Sequence, residues 1–170
     1  LHHAKMAARQ YDIIDVEEWR TEPLSWMAEC HAGLHHHDQA NAHASAALVL
    51  ARRHRQPNYE ACALMTLGRV AHAKGRFDEA GDQYGRALTA CRKSGDVHVE
   101  AGIVEKLAEA YLATGEINQA QEAFSRSLAL YRTQNRLVDV QRVRRRQGKL
   151  SICAQAAPKQ TPRRGITAGR

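Results

Sequence analysis

The residues best equipped for chemistry crowd into one short stretch. "GLHHHDQA" (33–40) sets His35, His36 and His37 in a row ahead of Asp38, with His31 and His43 on either side. Imidazole and carboxylate are donors for borderline divalent metals, and His31 and His35 are spaced i, i+4, which on a helix brings two rings to one ion. Asp38 or His43 would complete such a shell. No second strong ligand spacing supports it, so the sequence predicts a turn here, with no metal and no cofactor. Cys30, Cys62, Cys91 and Cys153 lie far apart without a CxxC pair. That is neither a zinc pattern nor a disulfide scaffold, and it reads as free thiols in a reducing cytosol, hence a cytoplasmic protein. A thiol activity at Cys62 or Cys91 would need an activating neighbour, and none adjoins either in sequence. There is no Gly-rich phosphate loop and no G-x-S-x-G turn. The expectation is that the chain is not an enzyme.

A third candidate is the basic run "RVRRRQGK" (142–149). Arg142, Arg145, Arg146 and Lys149 would share one helical face, and Arg144 extends the run. Arg142, Arg144, Arg145 and Arg146 are the candidate phosphate contacts, able to bind a nucleic-acid backbone without reading its sequence. No aromatics interleave to stack on bases and no turn presents a recognition helix, so a solvated cap is the preferred role. The charge is local. Residues 132–170 hold eleven Lys and Arg against Asp139 alone, a net +10, while residues 1–131 net −3. The overall +7 therefore says little about the body of the protein.

What positions these residues is a repeat. "GLHHHDQA" (33–40), "AKGRFDEA" (73–80) and "ATGEINQA" (113–120) align at a spacing of forty. Leu24, Leu64 and Val104 correspond, as do Ala40, Ala80 and Ala120, and Ala44, Tyr84 and Phe124. Within a unit, positions 64, 67, 68 and 71 mark one helical face, and 80, 84, 87 and 88 mark another. Gly75 supplies the turn between them, and Asp78 and Glu79 suit the start of the second helix. Gly95 and Asn135 mark the second helix's end, with Pro57 expected to serve in the first unit. Each unit is a helical hairpin. Alanine fills much of the 44 % apolar quota and aromatics are only 5 %, as closely packed helices favour. No stretch approaches the roughly twenty apolar residues of a membrane span.

"ALMTLGRVAHAKGRFDEAGDQYGRAL" (63–88) resembles the tetratricopeptide repeat. The family's signature falls on Leu64, Leu67, Gly68, Ala71, Gly75, Ala80, Tyr84 and Ala87, and again on Val104, Leu107, Ala108, Tyr111, Gly115, Ala120, Phe124 and Ser127. The first unit departs from it, with His35 for the turn glycine and Ala44 for the aromatic. The resemblance covers about residues 1–150 and implies an all-α fold, a right-handed superhelical solenoid of antiparallel hairpins. Its expected divisions are the second helix of a preceding repeat with its lead-in (1–20), a degenerate repeat (21–60), two full repeats (61–100 and 101–140), a basic capping helix (137–150) and a basic disordered tail (154–170). Ala4, Ala7 and Ala8 match second-helix positions, which suggests further repeats upstream. The forty-residue unit exceeds the common length of about 34 residues. It is similar to the C-terminal arrays of bacterial multidomain regulators, STAND-type ATPases and actinomycete activators.

What the resemblance implies for function is a concave groove lined by first helices. Positions 2, 5, 9 and 12 of each unit would face a ligand: Glu22, Ser25 and Glu29; Cys62, Met65, Arg69 and His72; Glu105, Glu109 and Leu112. The capping helix would add Arg142, Arg145 and Lys149. The Lys and Asn that clamp chaperone C-termini at the fifth and ninth positions are missing. The groove should hold a peptide or helix of a protein partner, or of another domain of a longer chain. The expected role is the sensing or regulatory arm of a larger cytoplasmic, transcriptional regulator, with a stand-alone adaptor or a nucleic-acid-contacting protein as alternatives.

Overall fold

Six residues spaced twenty apart govern the path of the chain. His35, Arg55, Gly75, Gly95, Gly115 and Asn135 all take positive φ, between 54° and 83°. After five of them the next amide donates to a carbonyl five residues back: His36 to His31, Gln56 to Ala51, Arg76 to Ala71, Glu116 to Tyr111 and Arg136 to Tyr131, at 2.8–3.0 Å. These bonds satisfy helix-end carbonyls and stop each helix in a Schellman-type turn. At Gly95 the helix runs on to Ser94, whose Oγ donates to the Cys91 carbonyl at 2.8 Å.

The computed structural model describes residues 1–6 and 17–156. Seven long helices occur among them: α1 (Thr21–Gly33), α2 (His37–Arg53), α3 (Pro57–Ala73), α4 (Phe77–Ser94), α5 (Val97–Ala113), α6 (Ile117–Thr133) and α7 (Leu137–Ala156). Residues 2–6 are helical, and a 3-10 turn, Glu17–Arg20, leads into α1. The all-α hairpin architecture is as expected, and the described residues include no strand. The degenerate first unit keeps the same turn, with His35 standing where Gly75 and Gly115 stand later. One expectation is corrected. Arg55, not Pro57, ends the α2 path, and Pro57 opens α3, where its missing N–H leaves no hydrogen bond unmade. Helix α7 continues through 154–156; the remainder of the expected tail, and residues 7–16 of the opening segment, lie outside the described residues.

Successive helices pack antiparallel as the pairs α1–α2, α3–α4 and α5–α6, and each pair leans on the next. Alanine makes this possible: Ala28, Ala44, Ala71, Ala87, Ala101 and Ala120 are fully buried. Large rings then fill the gaps between helices, with Tyr84, Phe124 and Tyr131 each at most 1 % exposed. The closest approach is at Gly68, where an added Cβ would lie 2.5 Å from Tyr84 Cε1. The next unit tolerates Ala108 at this position. The inner layer consists of first helices, α1 touching α3 and α3 touching α5.

Candidate partner-binding groove

The inner layer carries the ninth position of each unit as a row. Glu29, Arg69 and Glu109 all sit half-buried along it. Burial pushes the Glu29 carboxyl above the ordinary range, and the positive charge of Arg69 opposes this only in part. Between α1, α3 and α5 lies a cleft of about 170 Å³ lined by Arg69, His72, Lys106, Glu109, His37 and Tyr84, among others. Lys106 was not anticipated from the sequence. It donates to Glu109 Oε2 at 2.9 Å, and burial lowers its pKa despite the nearby Glu105 carboxylate. Burial likewise lowers the pKa of His72, and the positive charge of Lys106 adds to this. Leu112, at the twelfth position, is exposed, whereas Met65, at the fifth, and Glu22, at the second, are half-buried.

The fifth position behaves differently from the expectation. Ser25 is 4 % exposed and donates from Oγ to the Thr21 carbonyl at 2.9 Å, so it faces its own helix. Glu105 is 2 % exposed and lies at the centre of a polar network. Tyr131 Oη donates to its Oε2 at 2.8 Å, Arg142 Nε to Oε1 at 3.0 Å, and Arg146 Nη1 to Oε1 at 3.0 Å. Burial alone would raise the Glu105 pKa, but the bonds from Arg142, Tyr131 and Arg146 together hold it below the usual carboxylate value. Arg146 also pairs with Glu109, and the Arg136 guanidinium lies over the Tyr131 ring at 4.6 Å. Glu105 thus joins α5 to α6 and α7 rather than meeting a ligand. No sequence signal showed this, because its partners are 26 to 41 residues away.

The candidate phosphate contacts divide in the same way. Arg142 and Arg146 are tied to Glu105, Glu109 and Asp139. Arg144 and Arg145 are exposed on α7. Lys149 lies on α7, but its side chain is outside the described ones. Burial foremost pushes the Cys62 thiol up to about 12 and the Cys91 thiol up to about 11, so neither of these two is activated. At the first turn, His31 meets His36 rather than His35, their Nδ1 atoms 3.3 Å apart. Beyond the groove, a shallow indentation of about 430 Å³ between α4 and α5 is floored by Leu107 and Tyr111, with Gly81 and Gly85 at its edge. No helix among the described residues is long and apolar enough to cross a membrane.

Comparison with known proteins gives the architecture a context. A family profile described as tetratricopeptide repeat matches residues 59–133. No curated protein matches the chain. Among solved structures, aspartyl phosphate phosphatase F from Bacillus subtilis superposes with a TM-score of 0.72 at 18 % identity, covering 81 % of this chain and 37 % of that one. BtubC (BKLC) from P. vanneervenii gives a TM-score of 0.60 at 15 % identity, covering 91 % and 71 % respectively. The nearly identical TPR-like repeats of a protein described as a Podospora anserina kinesin light chain give 0.60 at 13 % identity, covering 89 % and 85 %. At these identities the likeness is one of fold. The chain spans little more than a third of the length of the phosphatase.

Proposed function

We propose that this chain, whose residues 59–133 belong to the tetratricopeptide-repeat family, is a protein–protein interaction module that holds a partner's segment in its concave groove. The observation that carries this reading is the cleft where Arg69, His72, Lys106 and Glu109 converge. Half-buried Met65 and exposed Leu112 lie on the same helices. A preformed polar cleft flanked by apolar side chains suits a short peptide or helix with an apolar anchor and charges of both signs, an acid towards Arg69 and a base towards Glu29. The module acts by positioning and does no chemistry on what it holds. Peptides selected from a displayed random library against the full chain test it. Arg69→Ala and Lys106→Ala should each weaken the selected peptides by about tenfold, while Arg86→Ala on the exposed side of α4 should not. Peptides indifferent to the Arg69 and Lys106 changes would place the partner surface elsewhere.

The finer reading makes the module the sensing or regulatory arm of a larger cytoplasmic, transcriptional regulator. Its support is the long forty-residue unit in an alanine- and arginine-rich style. An immunoblot of the native product reads this directly. A band several times heavier than the 19.0 kDa of this sequence is expected, whereas one at that mass would favour a stand-alone adaptor.

A further inference from the structure

The histidines around the first turn fall into two groups. His35 and His37 meet edge to face at 5.9 Å, and the left-handed backbone at His35 leaves its ring exposed. The other three converge. His31, 7 % exposed at the end of α1, stacks on His43 of α2 with ring centroids 5.3 Å apart and planes 18° from parallel. On another side its Nδ1 faces His36 Nδ1 at 3.3 Å. Two facing ring nitrogens at that distance cannot both carry a proton: with one protonated they hydrogen-bond, and with neither protonated both lone pairs face the same space. Two nitrogens each about 2.0–2.1 Å from a tetrahedral zinc ion stand about 3.3–3.4 Å apart.

The geometry points to a metal site at the α1–α2 turn, in which His31 Nδ1 and His36 Nδ1 chelate a borderline divalent ion of the zinc class and water completes the shell. The backbone holds the two ligands in register, because the His36 amide donates to the His31 carbonyl at 2.9 Å. His43 backs the His31 ring and keeps it from turning away. No group of three or more His, Cys, Asp and Glu side chains fit to hold an ion occurs among the described residues, so the proposed site has two protein ligands only. A bound ion would clip the last turn of α1 to the start of α2, the hairpin that lacks the aromatic found at Tyr84 and Phe124.

Calorimetric titration of the full chain with zinc chloride at pH 7.5 tests the site. One saturable ion per chain is expected, together with a zinc-dependent rise in the unfolding temperature. His36→Ala should weaken binding by about tenfold or more and remove that rise, while circular dichroism shows the helices intact. His31→Gln, which keeps the buried volume roughly filled, should do the same. Replacing the exposed His2 with His3, or the exposed His35 alone, by alanine should leave binding unchanged. If the wild type binds no zinc saturably, or if His2, His3 or His35 carry the binding and His36 does not, the assignment is overturned.

Discussion

His35 and Arg55 hold left-handed backbone without being glycine, with φ of 59° and 54°. For an L residue this conformation costs about 1–2 kcal/mol. Glycine removes that strain and returns part of the gain as a more flexible unfolded chain. His35→Gly and Arg55→Gly should therefore each raise stability by about 0.5–1 kcal/mol, read as a higher midpoint in guanidinium unfolding with an unchanged slope. Asn135→Gly should gain less, since Asn tolerates this region. The same residues show what could be read from the sequence. Gly75 and Gly115 announce their turns by type, and the forty-residue alignment carried that turn back to His35. Arg55 carries no such signal, because arginine has no preference for positive φ. Proline suggests a stop because it cannot sit inside a helix, yet the first turn is where its ring is tolerated.

At the scale of elements, α7 is joined to the array as much by charge as by packing. Val140 and Val143 bury their side chains, while Arg142 and Arg146 reach across to Glu105. Glu105→Ala should cost about 2–3 kcal/mol, less than a fully enclosed ion pair, because the two arginine side chains are 42 % and 41 % exposed and can hydrate. Because the folded state lowers the Glu105 pKa, its stabilisation is complete above the ordinary value of 4.5 and is lost as the pH falls through the folded value. Thermal unfolding from pH 7 down to 3 should show a shallower acid loss in Glu105→Gln than in wild type, with the difference confined below about pH 4.5. The helices were legible because their faces recur within a unit. The fate of the fifth position was not, since it depends on how far neighbouring first helices lean together. Ser25 and Glu105 end up buried there while Met65 is half-buried.

For the whole molecule, the last of the described helices differs from its predecessors on the face that would receive a further second helix. Leu64 and Val104 are buried at this position, whereas the corresponding Arg144 is exposed; Gln147 corresponds to Leu67 and Leu107. A helix packed there in the usual place would bury the Arg144 charge, which is costly without a partner. Arg144→Leu combined with Gln147→Leu should present an apolar stripe beside exposed Leu137 and Val138, and the variant should elute from a sizing column as a concentration-dependent oligomer. The left-handed residues every twenty positions have a consequence for how such a chain can change length. One interval reverses the direction of travel, and two restore it. A gene that gained or lost forty codons would add or remove a storey and leave every other floor facing as before. A change of twenty would turn all later helices inside out, putting their alanine seams towards water. Growth of this protein is therefore permitted only in whole hairpins, and the beat that sets the fold also sets the grain in which its lineage can be edited.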